Sequence, residues 1–180
     1  MPEGIEVPET HHEHEELPYT VPVAVTMSIL AVCVAIATLF GHRAATEVLY
    51  LQTKAMDQWS YYQAKNMRLN EKQGVADMLE TLTAADKQKA QALREKYLKD
   101  VERYSDEKGD ISAEAEKYEK ERDVAEHRED RFDGSEVILE IGLIICSLTL
   151  LTRKKIFWHA GIGLGVIGVI VMITGFLMRG

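Results

Sequence analysis

Glu140 is the most distinctive chemical group in this sequence, because it is a carboxylate inside an otherwise apolar run that covers residues 137–152. Ionisable groups in such runs are costly to bury in lipid and commonly mark ion or proton pathways. The alternative is structural. Arg43 comes just after the first apolar segment, and Glu136 and Glu140 lie near the start of the second. If both segments span the membrane, these residues lie at the same membrane face, so Arg43 could form an ion pair with Glu136 or Glu140.

Three histidines in the N-terminal tail, His11, His12 and His14, stand among glutamates. Imidazole and carboxylate groups bind divalent transition metals, and histidine also titrates near neutral pH. The tail, residues 1–20, has glutamates as its only charged side chains and contains three prolines, so we expect it to be disordered. These histidines are therefore only weak candidates for metal ligands, and no cofactor is predicted.

A glycine pattern at residues 163–168 formally matches the fingerprint of dinucleotide-binding folds. That fingerprint requires a strand before it and a soluble helix after it, whereas here it lies within one continuous apolar run. The two cysteines, Cys33 and Cys146, also lie in apolar runs, without the spacing of a zinc or redox motif. No catalytic constellation remains, and we predict that the protein is not an enzyme.

The sequence divides into apolar segments and charged segments, which is not the pattern of a single soluble domain. The averages, 28% charged and 46% hydrophobic with a net charge of −8, resemble those of a soluble protein. Apolar residues, however, are concentrated at 21–41, 135–152 and 156–178, and a bilayer-spanning helix needs about 20 such residues. We predict three transmembrane helices, with a basic turn at 153–155 between the last two. No basic stripe exceeds the acids interleaved with it, which argues against nucleic-acid binding.

Small side chains recur at helical spacing in the first and third apolar segments. Such residues let helix backbones approach closely in lipid, where van der Waals contact drives association. The pattern predicts tight packing, either within one chain or between subunits. The predicted packing residues are Ala24, Ser28, Ala31, Ala35, Gly161, Gly165, Gly168 and Gly175.

The charged insert, residues 42–134, predicts an antiparallel helical hairpin that forms a coiled-coil stalk. It contains no proline, is rich in helix-forming residues, and carries apolar residues at a four-three spacing. A capping-box pattern at residues 83–86 places the reversal near Leu82 and Thr83. The second arm would then be longer than the first, and a kink or loop at residues 108–110 could absorb the difference. A bent three-helix bundle is the alternative. The predicted fold class is all-α.

An aromatic cluster in the insert, which includes Trp59, Tyr61 and Tyr62, is the least generic part of the sequence. These side chains would either anchor the partner arm or dock another protein. With the basic turn and the Gly41-His42 step, the stretch DQWSYYQAK resembles a bacterial family known as domain of unknown function 4337. The resemblance implies a bacterial multi-pass membrane protein with no assigned activity.

These features together predict a non-enzymatic membrane scaffold or accessory subunit of the bacterial inner membrane. We expect its partners to be membrane lipids and either further copies of itself or other subunits of a membrane complex. A small ion or proton channel that uses Glu140 is the alternative. The short basic turn at 153–155 favours a cytoplasmic position for itself and the N-terminal tail, with the stalk in the periplasm. Basic residues at the opposite face, such as Arg43, conflict with this orientation, but they flank a long segment and count less.

Overall fold

Long helices account for nearly all of the residues that the structure describes. The computed structural model describes residues 19–81 and 87–178. These residues form three α-helices and no strand: α1 covers Thr20–Thr81, α2 covers Lys87–Thr152 and α3 covers Lys155–Leu177. The all-α prediction is therefore confirmed. Each of the three helices contains a segment long and apolar enough to cross a membrane.

The predicted boundaries between the apolar segments and the charged insert are not helix ends. α1 has 62 residues and continues through Gly41, and α2 has 66 residues and continues through Gly134. Neither boundary contains a proline, and backbone hydrogen bonds within a helix are satisfied equally well in apolar and polar surroundings. Pro22 lies in the first turn of α1, where its missing N–H is tolerated. Each apolar segment and its charged extension are therefore one rigid element.

Helices α1 and α2 pack side by side and run in opposite directions. Near the end of α1, Arg94 donates to the Glu80 carboxylate at 2.6 Å, and at the other end of the charged region Arg128 pairs with Glu47. Buried residues recur every seven positions on both helices, which keeps one face of each toward the other. They include Val23, Leu30, Ala37, Ala44 and Leu51 on α1, and Ala125, Phe132, Leu139 and Cys146 on α2.

The loop that was one expectation for residues 108–110 is absent. α2 is helical through Gly109, and the Ser112 hydroxyl donates to the Gly109 carbonyl at 2.9 Å from within the helix. The extra length of the second arm lies at the start of α2 instead, because α2 begins well before Arg94, the residue that contacts Glu80. The described part of the insert contains two helices rather than the three of the alternative bundle. The predicted capping box at residues 83–86 lies outside the described residues.

A two-residue connection joins α2 to α3. Arg153 has a φ of 58°, the left-handed conformation that commonly ends a helix, and its amide donates to the Thr149 carbonyl at 2.9 Å. The Tyr19 hydroxyl donates to the Arg153 carbonyl at 2.8 Å, which ties the start of α1 to this turn. The Trp158 indole donates to the Thr26 hydroxyl at 3.1 Å. The turn and the first turns of α1 and α3 are thus joined at one end of the apolar bundle.

Candidate functional site

The four glycines predicted on α3 are all buried, and they face the rest of the same chain. A Cβ on Gly165 would lie 2.5 Å from the Leu30 side chain, and a Cβ on Gly168 would lie 2.7 Å from Leu139. A Cβ on Gly175 would meet the Phe132 ring at 3.2 Å. Each glycine therefore creates the space that a larger side chain of α1 or α2 occupies.

Helices α2 and α3 approach each other closely at Gly161. A Cβ there would overlap the Cys146 sulfur and would lie 2.8 Å from the Gly142 carbonyl oxygen. Gly142 itself lacks room for a side chain, because its Cβ would lie 3.2 Å from the Gly161 carbonyl oxygen. Sequence reasoning missed Gly142. The signal was the seven-residue spacing of small residues on α2 at Ser135, Gly142 and Thr149, all of which are buried.

The small residues predicted on α1 lie elsewhere. Ala24, Ser28, Ala31 and Ala35 are exposed, while the buried face of the same segment consists of Val23, Leu30 and Ala37. A shallow apolar groove of 590 Å³ follows the exposed face, and both Ala24 and Ser28 line it. The small-residue face of α1 therefore remains uncovered by α2 and α3.

The expected ion pair between Arg43 and either Glu136 or Glu140 is absent from the ion pairs of residues 19–81 and 87–178. The Arg43 guanidinium lies over the Phe40 ring, 5.5 Å from its centroid, while Glu136 accepts a hydrogen bond from the Thr38 hydroxyl at 2.7 Å. The reason is rotational. Successive residues on a helix are about 100° apart, so Arg43 and the glutamates lie on different sides of the seam between α1 and α2.

We call the charged parts of α1 and α2 the rod, and we define its base, where the apolar segments begin, as residues 40–47 of α1 and 126–140 of α2. An acidic groove lies at this base, on the glutamate side of the seam. Its volume is 360 Å³, and the imidazole-bearing residue His42 lines it from α1. Burial, followed by the charges of Asp133, Asp130 and Glu126, raises the pKa of Glu129. The carboxylates that line the groove are Glu129, Asp133, Glu136 and Glu140.

This acidic groove does not resemble a metal site. Within the described residues, no group of three or more histidine, cysteine or acidic side chains is arranged to hold a metal ion. The weak metal candidates His11, His12 and His14 lie outside the described residues. The Glu140 side chain is exposed rather than enclosed by the helices.

The aromatic cluster contacts the partner helix. The Trp59 indole donates to Glu119 at 2.8 Å, and the Trp59 ring packs edge-to-face on Tyr62 at 5.5 Å. Lys108 of α2 lies over the Tyr62 ring at 5.1 Å. Tyr61, in contrast, is half exposed on the neighbouring face. Trp59 and Tyr62 therefore hold the two arms together, and only Tyr61 presents substantial ring surface to solvent.

A buried lysine that sequence reasoning missed lies in the same layer of the rod. Lys65 is 9% exposed, forms an ion pair with Glu107, and lies over the rings of Tyr61 and Tyr104 at 5.3 and 5.1 Å. The hydrogen bond that Lys65 donates to the Glu107 carboxylate raises the pKa of Lys65 and lowers the pKa of Glu107. A lysine at a seam position is a known way to specify helix register, at a cost in stability.

The close contact at Gly161 predicts a difference between two neighbouring glycines. Gly161→Ala should destabilise the protein by about 1–3 kcal/mol, because the added methyl group overlaps Cys146 and the Gly142 backbone. Gly163→Ala is the matched control, since no atom lies within 4 Å of its Cβ position. Thermal unfolding in detergent measures both. Equal melting temperatures for the two variants would contradict the packing of α3 on α2.

The raised pKa of Glu129 predicts a stability that increases on acidification. The folded state binds the Glu129 proton more tightly than the unfolded state, so the charged carboxylate destabilises the fold at neutral pH. Stability should rise as pH falls through the raised pKa toward the ordinary glutamate value. Glu129→Gln should raise the melting temperature at pH 7 by about 2 °C and reduce this pH dependence.

The control for Glu129 is Glu121→Gln, because Glu121 lies in the rod beside Lys117, at 3.8 Å, rather than among other acids. This control should not raise the melting temperature. A lower melting temperature for Glu129→Gln at pH 7 would show that the charged form of Glu129 is stabilising.

Comparison with known proteins identifies the chain only at the level of a family. A sequence model described as "Domain of unknown function (DUF4337)" matches residues 20–178, which include all three helices. Searches of curated proteins and of solved structures found no match. The match covers most of the chain and confirms the resemblance drawn from the aromatic stretch and the basic turn. The chain belongs to the family described as domain of unknown function 4337.

Proposed function

We propose that this protein is a non-enzymatic integral membrane scaffold or accessory subunit, with three spans and a helical stalk. The observation that carries the proposal is the exposure of large apolar side chains on all three apolar segments. Val25 of α1 is 53% exposed, Ile144 of α2 is 61% exposed and Ile170 of α3 is 56% exposed. Water would leave this surface unfavourably hydrated, whereas lipid chains would cover it without loss.

In this proposal the charged parts of α1 and α2 form an antiparallel coiled-coil hairpin that projects from the membrane. The seven-residue spacing of the buried residues supports the coiled coil. The cross-helix contacts of Lys65 and Trp59 support the antiparallel register, since polar partners at a seam favour one alignment over its neighbours. Because each arm continues one span, a partner bound to the stalk would be mechanically coupled to the membrane helices.

We further propose that the protein lies in the bacterial inner membrane, with the turn after α2 in the cytoplasm and the stalk in the periplasm. The turn contains Arg153 and Lys154, with Lys155 at the start of α3. Basic residues in short loops favour the cytoplasmic side, whereas long segments translocate largely regardless of their charge. The same orientation would place the N-terminal tail in the cytoplasm.

Self-association would use the uncovered face of α1. The α3 glycines pack within the chain, whereas Ala24, Ser28, Ala31 and Ala35 are exposed, and the first two of these line the apolar groove. Small residues at this spacing allow a second helix to approach closely in lipid. The partner on this face would be another copy of the chain or another subunit of a membrane complex.

A leucine substitution on that face tests whether it mediates assembly. Ala31→Leu should reduce the mass of the complex purified in mild detergent toward that of the 20.3 kDa monomer, because the larger side chain separates the helices. Ala160→Leu is the matched control, since Ala160 is an exposed alanine of α3 away from this face. Mass measurement of the intact complex gives the answer. A wild-type protein that is monomeric and free of other subunits would contradict the scaffold proposal, as would equal loss in both variants.

An ion or proton channel is the second candidate, and the acidic groove at the base of the rod is the observation that favours it. Glu140 and Glu136 lie in this groove at the edge of an apolar segment, with His42 on the facing helix. Carboxylate and imidazole groups in such positions are typical of proton relays.

The scaffold proposal predicts that liposomes containing the wild-type protein have the same proton flux as liposomes containing Glu140→Gln. A pH-sensitive dye inside the liposomes reports the proton flux. Glu102→Gln is the control, because Glu102 is an exposed carboxylate in the rod. A wild-type flux that persists in the control and disappears in Glu140→Gln would favour the channel.

A further inference from the structure

A second groove, opposite in character to the acidic one, lies on the other side of the seam at the base of the rod. We call it the basic cleft. It has a volume of 190 Å³ and lies where α3 ends and only α1 and α2 continue. Its lining includes Phe40, Arg43, Glu47, Arg128, Phe132 and Phe176.

The floor of the basic cleft is a cluster of three phenylalanines, one from each helix. Phe176 packs edge-to-face on Phe40 at 4.6 Å and on Phe132 at 5.0 Å, and Phe40 stacks on Phe132 at 5.8 Å. Phe40 is also the last residue of the uncharged run in α1, before Gly41 and His42. The cleft therefore opens where the apolar sequence gives way to the charged rod.

The two arginines of the cleft differ in their partners. Arg128 forms an ion pair with Glu47, and 17% of its side chain is exposed. Arg43 lies over the Phe40 ring, and no ion pair of the described residues includes it. The lining residues therefore carry two positive charges and one negative charge, and among residues 19–81 and 87–178 no carboxylate forms an ion pair with Arg43 to balance the second positive charge.

We propose that the basic cleft binds the phosphate group of an anionic phospholipid, with Arg43 and Arg128 as the ligands. A guanidinium group presents paired N–H donors that match phosphate oxygens, and it remains charged at all physiological pH values. A single phosphodiester would supply the missing negative charge. The inference rests on the proposed membrane insertion, which places the cleft at the level of the headgroups.

The apolar floor favours a lipid over free phosphate. The phenylalanine cluster offers no hydrogen bond to a phosphate ion, but an acyl chain attached to the phosphate could continue along it into the apolar segments. The size of the cleft disfavours a second protein helix, because a helix with its side chains is about 10–12 Å in diameter. A volume of 190 Å³ suits a headgroup instead.

The test uses the full-length protein in mild detergent, with phosphatidylglycerol or phosphatidylcholine added at equal concentration. Native mass spectrometry counts the lipids that remain bound. We expect phosphatidylglycerol to be retained about tenfold more tightly, and Arg43→Gln to remove most of this preference. Arg131→Gln is the matched control, because it removes the same charge at the same level, on the α2 face that lines a different groove. This control should keep the preference.

Equal retention of the two lipids would overturn the proposal, as would an equal loss of the lipid preference in both arginine variants. Displacement of phosphatidylglycerol by inorganic phosphate at equal concentration would indicate a site for free anions and would overturn it as well. Loss of a dimer in Arg43→Gln without a change in bound lipid would assign the cleft to a second copy and would also overturn it. Membrane insertion is measured separately, by resistance of the wild-type protein to alkaline extraction from membranes. Extraction would refute the proposed function, whereas an inserted protein without lipid preference would refute only this inference.

Discussion

The antiparallel contact between α1 and α2 is the constraint on which the rest of the structure depends. The same seven-residue spacing buries Val23 and Leu30 in the apolar part of α1 and Ala44 and Leu51 where the sequence becomes charged. One packing geometry therefore serves two different surroundings. The backbone hydrogen bonds are satisfied within each helix in both regions. Only the outward-facing side chains therefore need to differ, apolar in one region and charged in the other.

Helix α3 adds a third partner over the apolar part and no further. It approaches α2 so closely at Gly161 and Gly142 that neither position has room for a Cβ. Its end at Leu177 leaves α1 and α2 to continue as a pair, and the phenylalanine cluster closes the junction. The cleft above Phe176 is a direct consequence of this change from three helices to two.

The base of the rod separates charge between its two sides. Glu129, Asp133, Glu136 and Glu140 share one stripe of α2, while Arg43 and Arg128 lie across the seam. Burial, followed by the like charges of nearby acids such as Asp133, raises the pKa of Glu129, whereas on the positive side Arg43 forms no ion pair with any other described residue. In the proposed orientation toward the bilayer, both grooves would lie at its surface, where the positive one would attract anionic headgroups and the acidic one would repel them.

The sequence was sufficient to predict the helical class, the three apolar segments and the family, because helix propensity, hydropathy and a specific aromatic stretch are local properties of the chain. It also predicted which glycines of α3 would be buried, since their spacing places them on one face. It did not predict that α1 and α2 run unbroken through Gly41 and Gly109, or that the extra length of the second arm lies at the start of α2.

The tertiary structure was needed to show which small residues face the rest of the chain and which charged side chains form ion pairs. Ala31 is exposed although Gly165 is buried, and Arg43 stacks on Phe40 instead of pairing with Glu136. Lys65 finds Glu107 on the opposite helix, far away in the sequence. All these contacts depend on the rotation and register of two helices relative to each other. A change of one residue turns a side chain by about 100°, and the spacing within one helix does not specify the phase of its partner.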